Sequence, residues 1–281
     1  MLALSKDDDR VPPRDRGNAQ PNAPGRPRSN APVGDRIPAA AHSLAAERDR
    51  LVKKLDSIGS VSDEERAALR ELPLEVRMLG DGEDIVRDGD RPSKCCLILD
   101  GFVCRYKLLQ DGKRQILSFH TPGDIPDLQS LHLRTMDHSI GALAVSRVGF
   151  IAHQDLRALI GQFPDLGNLF WRDTLIDAAI FREWMVGLGR RNAHQRIAHL
   201  LCEMALRFEG VGLAQDHTFP MPVTQAELAD ALGLTLVHVN RVLRDLRLME
   251  MVRMESRTVS ILEWDRLVAL GEFDPTYLHQ D

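Results

Sequence analysis

The sequence predicts an α+β chain: an antiparallel β-roll or jelly roll, one long helix, and a C-terminal pair of short helices followed by a hairpin. Three observations carry this expectation. Between Leu74 and Ala152, short apolar alternations are punctuated by Asp100-Gly101, Asp111-Gly112 and the "TPGD" of residues 121–124. From Asp165 to Val186, thirteen of 22 residues are apolar, and they spread around the helical circumference. From Thr224 to Arg247, helical periodicity runs on both sides of Gly233.

The 281 residues suffice for one large domain or two ordinary ones. With 36 basic and 41 acidic side chains, the net charge of −5 argues against a general polyanion binder. It leaves room for a local basic surface working at close range. No apolar run approaches the roughly 20 residues of a membrane helix. The start, "MLALSKDDDR", lacks an apolar signal core with a small-residue cleavage site. Four cysteines make no disulfide framework in a chain this long. A cytoplasmic protein without a membrane partner is expected.

Residues 1–42 are expected to be a disordered tail, of which residues 1–40 should be dispensable for folding. The first 40 hold seven of the fifteen prolines and no aromatic side chain, too little apolar surface to offset ordering entropy. Order is expected from about Leu44. "SLAAERDRLVKKL" places Leu44, Leu51, Val52 and Leu55 on one side of a helix, and Ser62 with Glu65 forms a capping box for the next.

Residues 43–163 form the expected β-roll domain. "CCLILDGFVCRYKLLQDGKRQILSF" holds three strand-like runs, and an Asp-Gly pair between such runs signals a hairpin. "SIGALAVSRVGFIAH" supplies two more strands. Many short strands with frequent turns suggest an antiparallel roll. The long helix, 164–188, is apolar on two sides and needs two covers. One is its own β-roll, and the natural second is the same helix of another copy. It is therefore expected to hold a homodimer, with Leu169, Ile176 and Ile180 near the seam. "GLGRRNAHQ" then offers glycine hinges.

Residues 189–281 form the expected C-terminal domain. In "TQAELADALG", Thr224 caps a short helix with Leu228 and Leu232 inward, and Gly233 permits the left-handed exit. Thr235 caps a second helix whose buried side is Val239, Val242, Leu243 and Leu246. Two helices joined around such a glycine make a helix-turn-helix. The outer side of the second carries Leu236, Val237, His238, Asn240, Arg241 and Arg244. That side enters the major groove, where arginine can bond guanine, Asn can read adenine and apolar groups can meet a thymine methyl. "MEMVRMESRTVSIL" reads as a hairpin wing bearing Arg253 and Arg257 on phosphates. From Thr235 to Leu262, five arginines face three acids, so this part is basic within an acidic chain.

Together, "VTQAELADALGLTLVHVNRVLRDLR", "DGKRQILSFHTPGD" and "GRRNAHQRIAHLLCEM" resemble a bacterial Crp/Fnr-type transcription regulator over about residues 45–278. The resemblance implies a cyclic-nucleotide-binding-type β-roll, a long dimerisation helix and a winged helix-turn-helix. It implies a homodimer on a palindrome and contact with RNA polymerase. Arg241 falls at the family's guanine-reading arginine, and Thr224 and Gln225 at its phosphate-contacting helix start. Two positions depart from the pattern. Val237 stands where many members carry a base-reading glutamate, and Glu250 where glycine is usual.

In the family's nucleotide binders a carboxylate holds the ribose and an arginine the cyclic phosphate. Asp124 could stand for the carboxylate, with His138 at the arginine and Ser139 beside it. Neutral His is a poor substitute for a guanidinium, so cyclic nucleotide binding is not expected and the effector stays open. No iron–sulfur cluster is expected either, because Cys95, Cys96, Cys104 and Cys202 lack ligand spacing and read as small buried residues. No enzyme activity is expected. The competing classes are a β-roll sensor acting through protein contacts and a jelly-roll metalloprotein. Against the latter, His120, His132 and His138 are scattered over turns, so no metal site is expected.

Overall fold

The computed structural model describes residues 43–280, and the expected tail lies outside them. Two short helices come first, α1 (Leu44–Asp56) and α2 (Asp63–Glu71). Ser43 caps α1, and Ser62 forms the expected capping box with Glu65. Leu51, Val52 and Leu55 are buried, so α1 lies with its apolar side against the roll.

The roll has two sheets. β1 (Glu75–Leu79), β7 (Ser146–Ala152) and β3 (Lys94–Asp100) pair antiparallel in the order β1-β7-β3, with Ile98 opposite Val148. β2 (Asp84–Val86), β6 (Ser139–Ala142), β4 (Val103–Leu108) and β5 (Arg114–His120) form the other, in the order β2-β6-β4-β5. The Asp111-Gly112 signal holds: β4 and β5 are a hairpin, and Leu109 N–H donates to Lys113 O at 2.8 Å. Asp100-Gly101 marks no hairpin. There the chain leaves one sheet for the other, since β3 pairs with β7 and β4 with β5 and β6. Gly101 sits at φ 100°, and a Cβ on it would fall 2.3 Å from the Ser146 hydroxyl. A tight crossing and a tight hairpin both need glycine, so the dipeptide alone does not separate them.

After α3 (His153–Gln162), α4 runs unbroken over Pro164–Arg190. Gly187 and Gly189 lie inside it, so they are not the hinge. The break comes at Arg191, whose ψ of 144° leaves the helical region, and at Asn192, whose capping box with Gln195 starts α5 (Ala193–Gly210). A capping box fixes a helix start more firmly than a helical glycine, which costs about 1 kcal/mol, ends one.

Leu169, Ile176 and Ile180 are covered within their own chain, in the same apolar core as Phe102, Phe119 and Leu128. The expectation that they sit at a seam between copies is corrected. The outward face of α4 instead shows Trp171 at 63 % exposure, Leu175 at 49 % and Met185 at 72 %. Half-buried Ala178 and exposed Arg182 continue this stripe at spacings of three and four.

The C-terminal domain packs α5, α6 (Gln225–Leu232), α7 (Leu236–Leu248) and α8 (Trp264–Gly271) with a small sheet. That sheet is β8 (Thr218–Pro220), β10 (Thr258–Ile261) and β9 (Val252–Glu255), in the order β8-β10-β9. Leu228, Leu232, Val239, Val242, Leu243 and Leu246 are buried, as their spacing predicts.

Candidate nucleic-acid interface and effector pocket

Local sequence closes each helix of the pair. Glu227 N–H donates to the Thr224 hydroxyl at 3.2 Å, and Thr224 N–H donates back to the Glu227 carboxylate at 2.9 Å. This satisfies two donors that a helix start would leave orphaned. Gly233, at φ 60°, closes α6, with Leu234 N–H on Ala229 O at 3.1 Å. The Thr235 hydroxyl accepts from His238 N–H at 3.3 Å and so caps α7.

These caps leave Leu236, Val237, His238, Asn240, Arg241 and Arg244 on the solvent face of α7, with Val237 66 % exposed. Thr224 and Thr235 are exposed at their helix starts, and Gln225 is half-buried beside Thr224. Val237, Asn240, Arg241, Arg244 and Arg247 line one open concavity. Asp245, four residues beyond Arg241, is held instead by His194 at 3.2 Å and by Arg244 at 3.8 Å. Arg241 has no hydrogen bond or ion pair among the described residues. The Asn240 amide donates to Leu236 O at 3.1 Å, so it must turn outward before it can meet a base.

Arg253 and Arg257 are exposed on the β9–β10 hairpin. Ser256 (φ 48°) and Arg257 (φ 63°) form its two-residue turn, and positive φ at both matches the twist of the strands. Glu250 explains the departure from glycine. It sits at φ 54° after α7, with Glu250 N–H on Arg247 O and Met251 N–H on Leu246 O, both at 3.0 Å. That is a Schellman closure with a side chain where glycine is unstrained.

The three expected effector residues do not meet. Asp124 is buried with Lys54, accepts from Arg207 at 3.1 Å and from Thr121 N–H at 2.8 Å, and has His120 at 3.5 Å. Burial by itself would raise its pKa. Lys54, the His120 hydrogen bond and Arg207 outweigh this and hold it well below the usual carboxylate range. His138 turns to Asp137 at 2.7 Å and Gln129 at 3.3 Å, and the Ser139 hydroxyl accepts from Asp88 N–H at 3.0 Å. Burial and then Arg105 keep His138 below its ordinary pKa, hence neutral at pH 7.

Sequence reasoning missed the groups that surround Asp124. Lys54 also reaches Asp173 on α4 at 3.0 Å, and Arg105 reaches Asp177 at 2.8 Å and Pro126 O at 2.6 Å. Burial drives His120 down to about 4, leaving it neutral. The available signal was Asp173 and Asp177, two acids one helical turn apart on a helix rich in apolar residues. Asp127 was also passed over. It accepts from Cys96 N–H at 2.8 Å, and burial pushes its pKa up to about 7. The four cysteines are buried and form no disulfide, and burial raises the Cys95 and Cys202 thiols to about 12. Such thiols stay protonated and unreactive.

A β-roll, a long helix and a winged helix-turn-helix define a two-domain DNA-binding regulator. Residues 76–163 match the cyclic nucleotide-binding domain and residues 195–270 the Crp-like helix-turn-helix domain. The nitrogen fixation regulation protein FixK of Bradyrhizobium diazoefficiens is 31 % identical over 192 residues, 68 % of this chain and 79 % of that protein. The transcriptional activator protein Anr of Pseudomonas protegens is 27 % identical over 231 residues, 82 % and 94 % of the two chains. The solved structure of FixK2 from Bradyrhizobium japonicum superposes with a TM-score of 0.64 at 27 % identity, covering 71 % of this chain and 98 % of that one. The chain belongs to the Crp/Fnr family of transcription regulators and is a DNA-binding regulator of that type. These relatives are regulators rather than enzymes.

The matched sensor domain raises the question of a cyclic nucleotide, and the residues present do not fit one. The cavity beside Asp124 is about 60 Å³, room for a few waters, and Asp173 and Asp177 join Asp124 in its lining. Lys54, Arg105 and Arg207 line it too, but each is already paired with one of these carboxylates, so none is left for a phosphate, and the neutral His138 lies outside that lining. Among the described residues, no group of three or more His, Cys, Asp or Glu is placed to hold a metal ion. None of the described helices is long and apolar enough to cross a membrane.

Proposed function

We propose that two copies of this chain pair through the outward stripe of α4 and present two α7 helices to an inverted-repeat DNA site. The observation that carries the DNA reading is the exposed α7 face, on which Arg241 keeps its whole guanidinium for a base. Arg241 would read a guanine in each half-site, and Asn240 an adenine. Leu236 and Val237 would pack on thymine methyls, with His238 and Arg244 beside them. Thr224, Gln225 and Thr235 at the helix starts, with Arg253 and Arg257 on the wing, would hold phosphates and set the register.

The dimer reading rests on Trp171, Leu175, Ala178 and Met185, a stripe that one protomer leaves uncovered. Family membership supports a cytoplasmic setting and RNA polymerase as a further partner. The β-roll serves as a scaffold that binds no cyclic nucleotide. Adding one should leave the melting temperature unchanged, and a clear upward shift would overturn that part.

An electrophoretic shift with genomic fragments, followed by footprinting, tests the whole. Two protected segments centred about one turn, roughly 34 Å, apart are expected. If no fragment shifts, the helix-turn-helix serves protein contacts instead.

A further inference from the structure

The DNA-binding domain is fastened to the β-roll of its own protomer by two consecutive residues of β5 as well as by Arg207. The Arg114 Nε donates to Asp230 on α6 at 2.9 Å, and its terminal nitrogen lies 3.7 Å from Glu227. Gln115 Nε2 donates to Ala231 O, in the last turn of the same helix, at 3.2 Å. Arg207 fastens α5 separately, donating to Phe119 O at 2.8 Å and to Asp124. A domain held at one point can pivot about it, whereas attachments on two of its helices also fix its rotation.

Arg114 is itself positioned. Its guanidinium lies 5.9 Å from the Tyr106 ring centroid, and Tyr106 O–H donates to Asp84 at 2.7 Å. Glu227 serves two partners at once. One carboxylate oxygen caps Thr224, at the helix start expected on a phosphate, while the other faces Arg114. The clasp therefore reaches the back of the DNA-facing helix pair without covering the exposed face of α7.

We propose that Arg114 and Asp230 form a positioning clasp that fixes the angle of each reading head and so determines which half-site spacing the dimer accepts. The inference rests on the inverted-repeat reading above. Each base pair inserted between half-sites moves the second by about 3.4 Å and turns it by about 34°. A head fixed in rotation cannot follow that turn, and a released head can. Arg114 touches no base in this scheme, so its loss should change spacing preference without changing which bases are preferred.

The test uses the full-length protein and duplexes in which the selected site is shortened or lengthened by one or two base pairs, with a single half-site as control. Wild type should lose about tenfold or more in affinity on moving off its preferred spacing. Arg114→Asp should flatten that series while keeping wild-type affinity for the half-site within a few-fold. The swapped pair Arg114→Asp with Asp230→Arg should restore the discrimination. The ratio between spacings is read, since Arg114→Asp alone also changes net charge. Gln115→Ala, which removes the neighbouring bond without a charge change, should flatten the series partly and guards against a misfolded Arg114→Asp. A folded Arg114→Asp with the wild-type series would overturn the clasp, and so would a swap that fails to restore it. A wild type that binds DNA with no preferred spacing would sink the inverted-repeat reading and the clasp with it.

Discussion

Arg207 on α5 donates to the buried Asp124 carboxylate of the β-roll at 3.1 Å, so the two domains of one protomer share an ion pair. The same carboxylate is held by Lys54 of α1, whose amine also reaches Asp173 of α4. One acidic side chain thus ties together four parts of the chain. Removing it should be costly, because two buried cations would each lose a carboxylate, leaving Lys54 with Asp173 and Arg207 with Glu203. Asp124→Asn is expected to destabilise the protein by about 3–5 kcal/mol, read as a lower urea midpoint.

The same pair sets a pH dependence. Its pKa is depressed in the folded protein, so its contribution is fully present above the ordinary carboxylate pKa of 3.8. It is lost as pH falls through the lower, folded value. Wild type should therefore weaken on acidification below about pH 4, and its advantage over Asp124→Asn should shrink there. Denaturation curves at several pH values check this. A constant difference between the two proteins down to pH 2 would show that Asp124 is not depressed.

Glu250 carries strain that its own sequence created. Its φ of 54° is easy for glycine and costs another residue about 1–2 kcal/mol, partly offset by the extra freedom glycine has when unfolded. Glu250→Gly should stabilise the protein by about 0.5–1 kcal/mol, whereas Glu250→Ala should not, since it removes the charge and keeps the Cβ. Thermal melts of the three proteins separate strain from charge.

On α4, burial sorts two kinds of position. Leu175→Glu alters a side chain that a single protomer leaves 49 % exposed, so the fold should survive while the dimer weakens. Ile176→Asp, one residue on, buries an unpaired charge and should cost several kcal/mol of folding stability. Light scattering and circular dichroism tell the outcomes apart. A Leu175→Glu protein that stays dimeric would move the seam elsewhere.

Much of this fold was legible because local rules and tertiary demands agree. The caps at Ser62, Thr224 and Thr235, the Gly233 exit and the buried stripe of α7 each follow from a few neighbouring residues. The misreadings share a cause, which is that sequence spacing does not say what lies opposite. Asp100-Gly101 has the chemistry of a hairpin, but its strands belong to different sheets. Ile176 and Leu175 are adjacent apolar residues, and only packing shows that the roll takes the first. Asp124 looked like a ligand group because its partners, Lys54 and Arg207, lie 70 and 83 residues away in sequence.

The α7 face allows the sharpest test, a selection of binding sites from random DNA with wild type and Arg241→Ala. Among the described residues Arg241 is unpaired, while Asp245 is taken by His194 and Arg244. Wild type should return an inverted repeat with a fixed guanine in each half. Arg241→Ala should return the same repeat with that position relaxed, at a cost of about 1–3 kcal/mol per half-site. Recovery of one identical motif from both proteins, with only a uniform drop in affinity, would contradict base reading by Arg241.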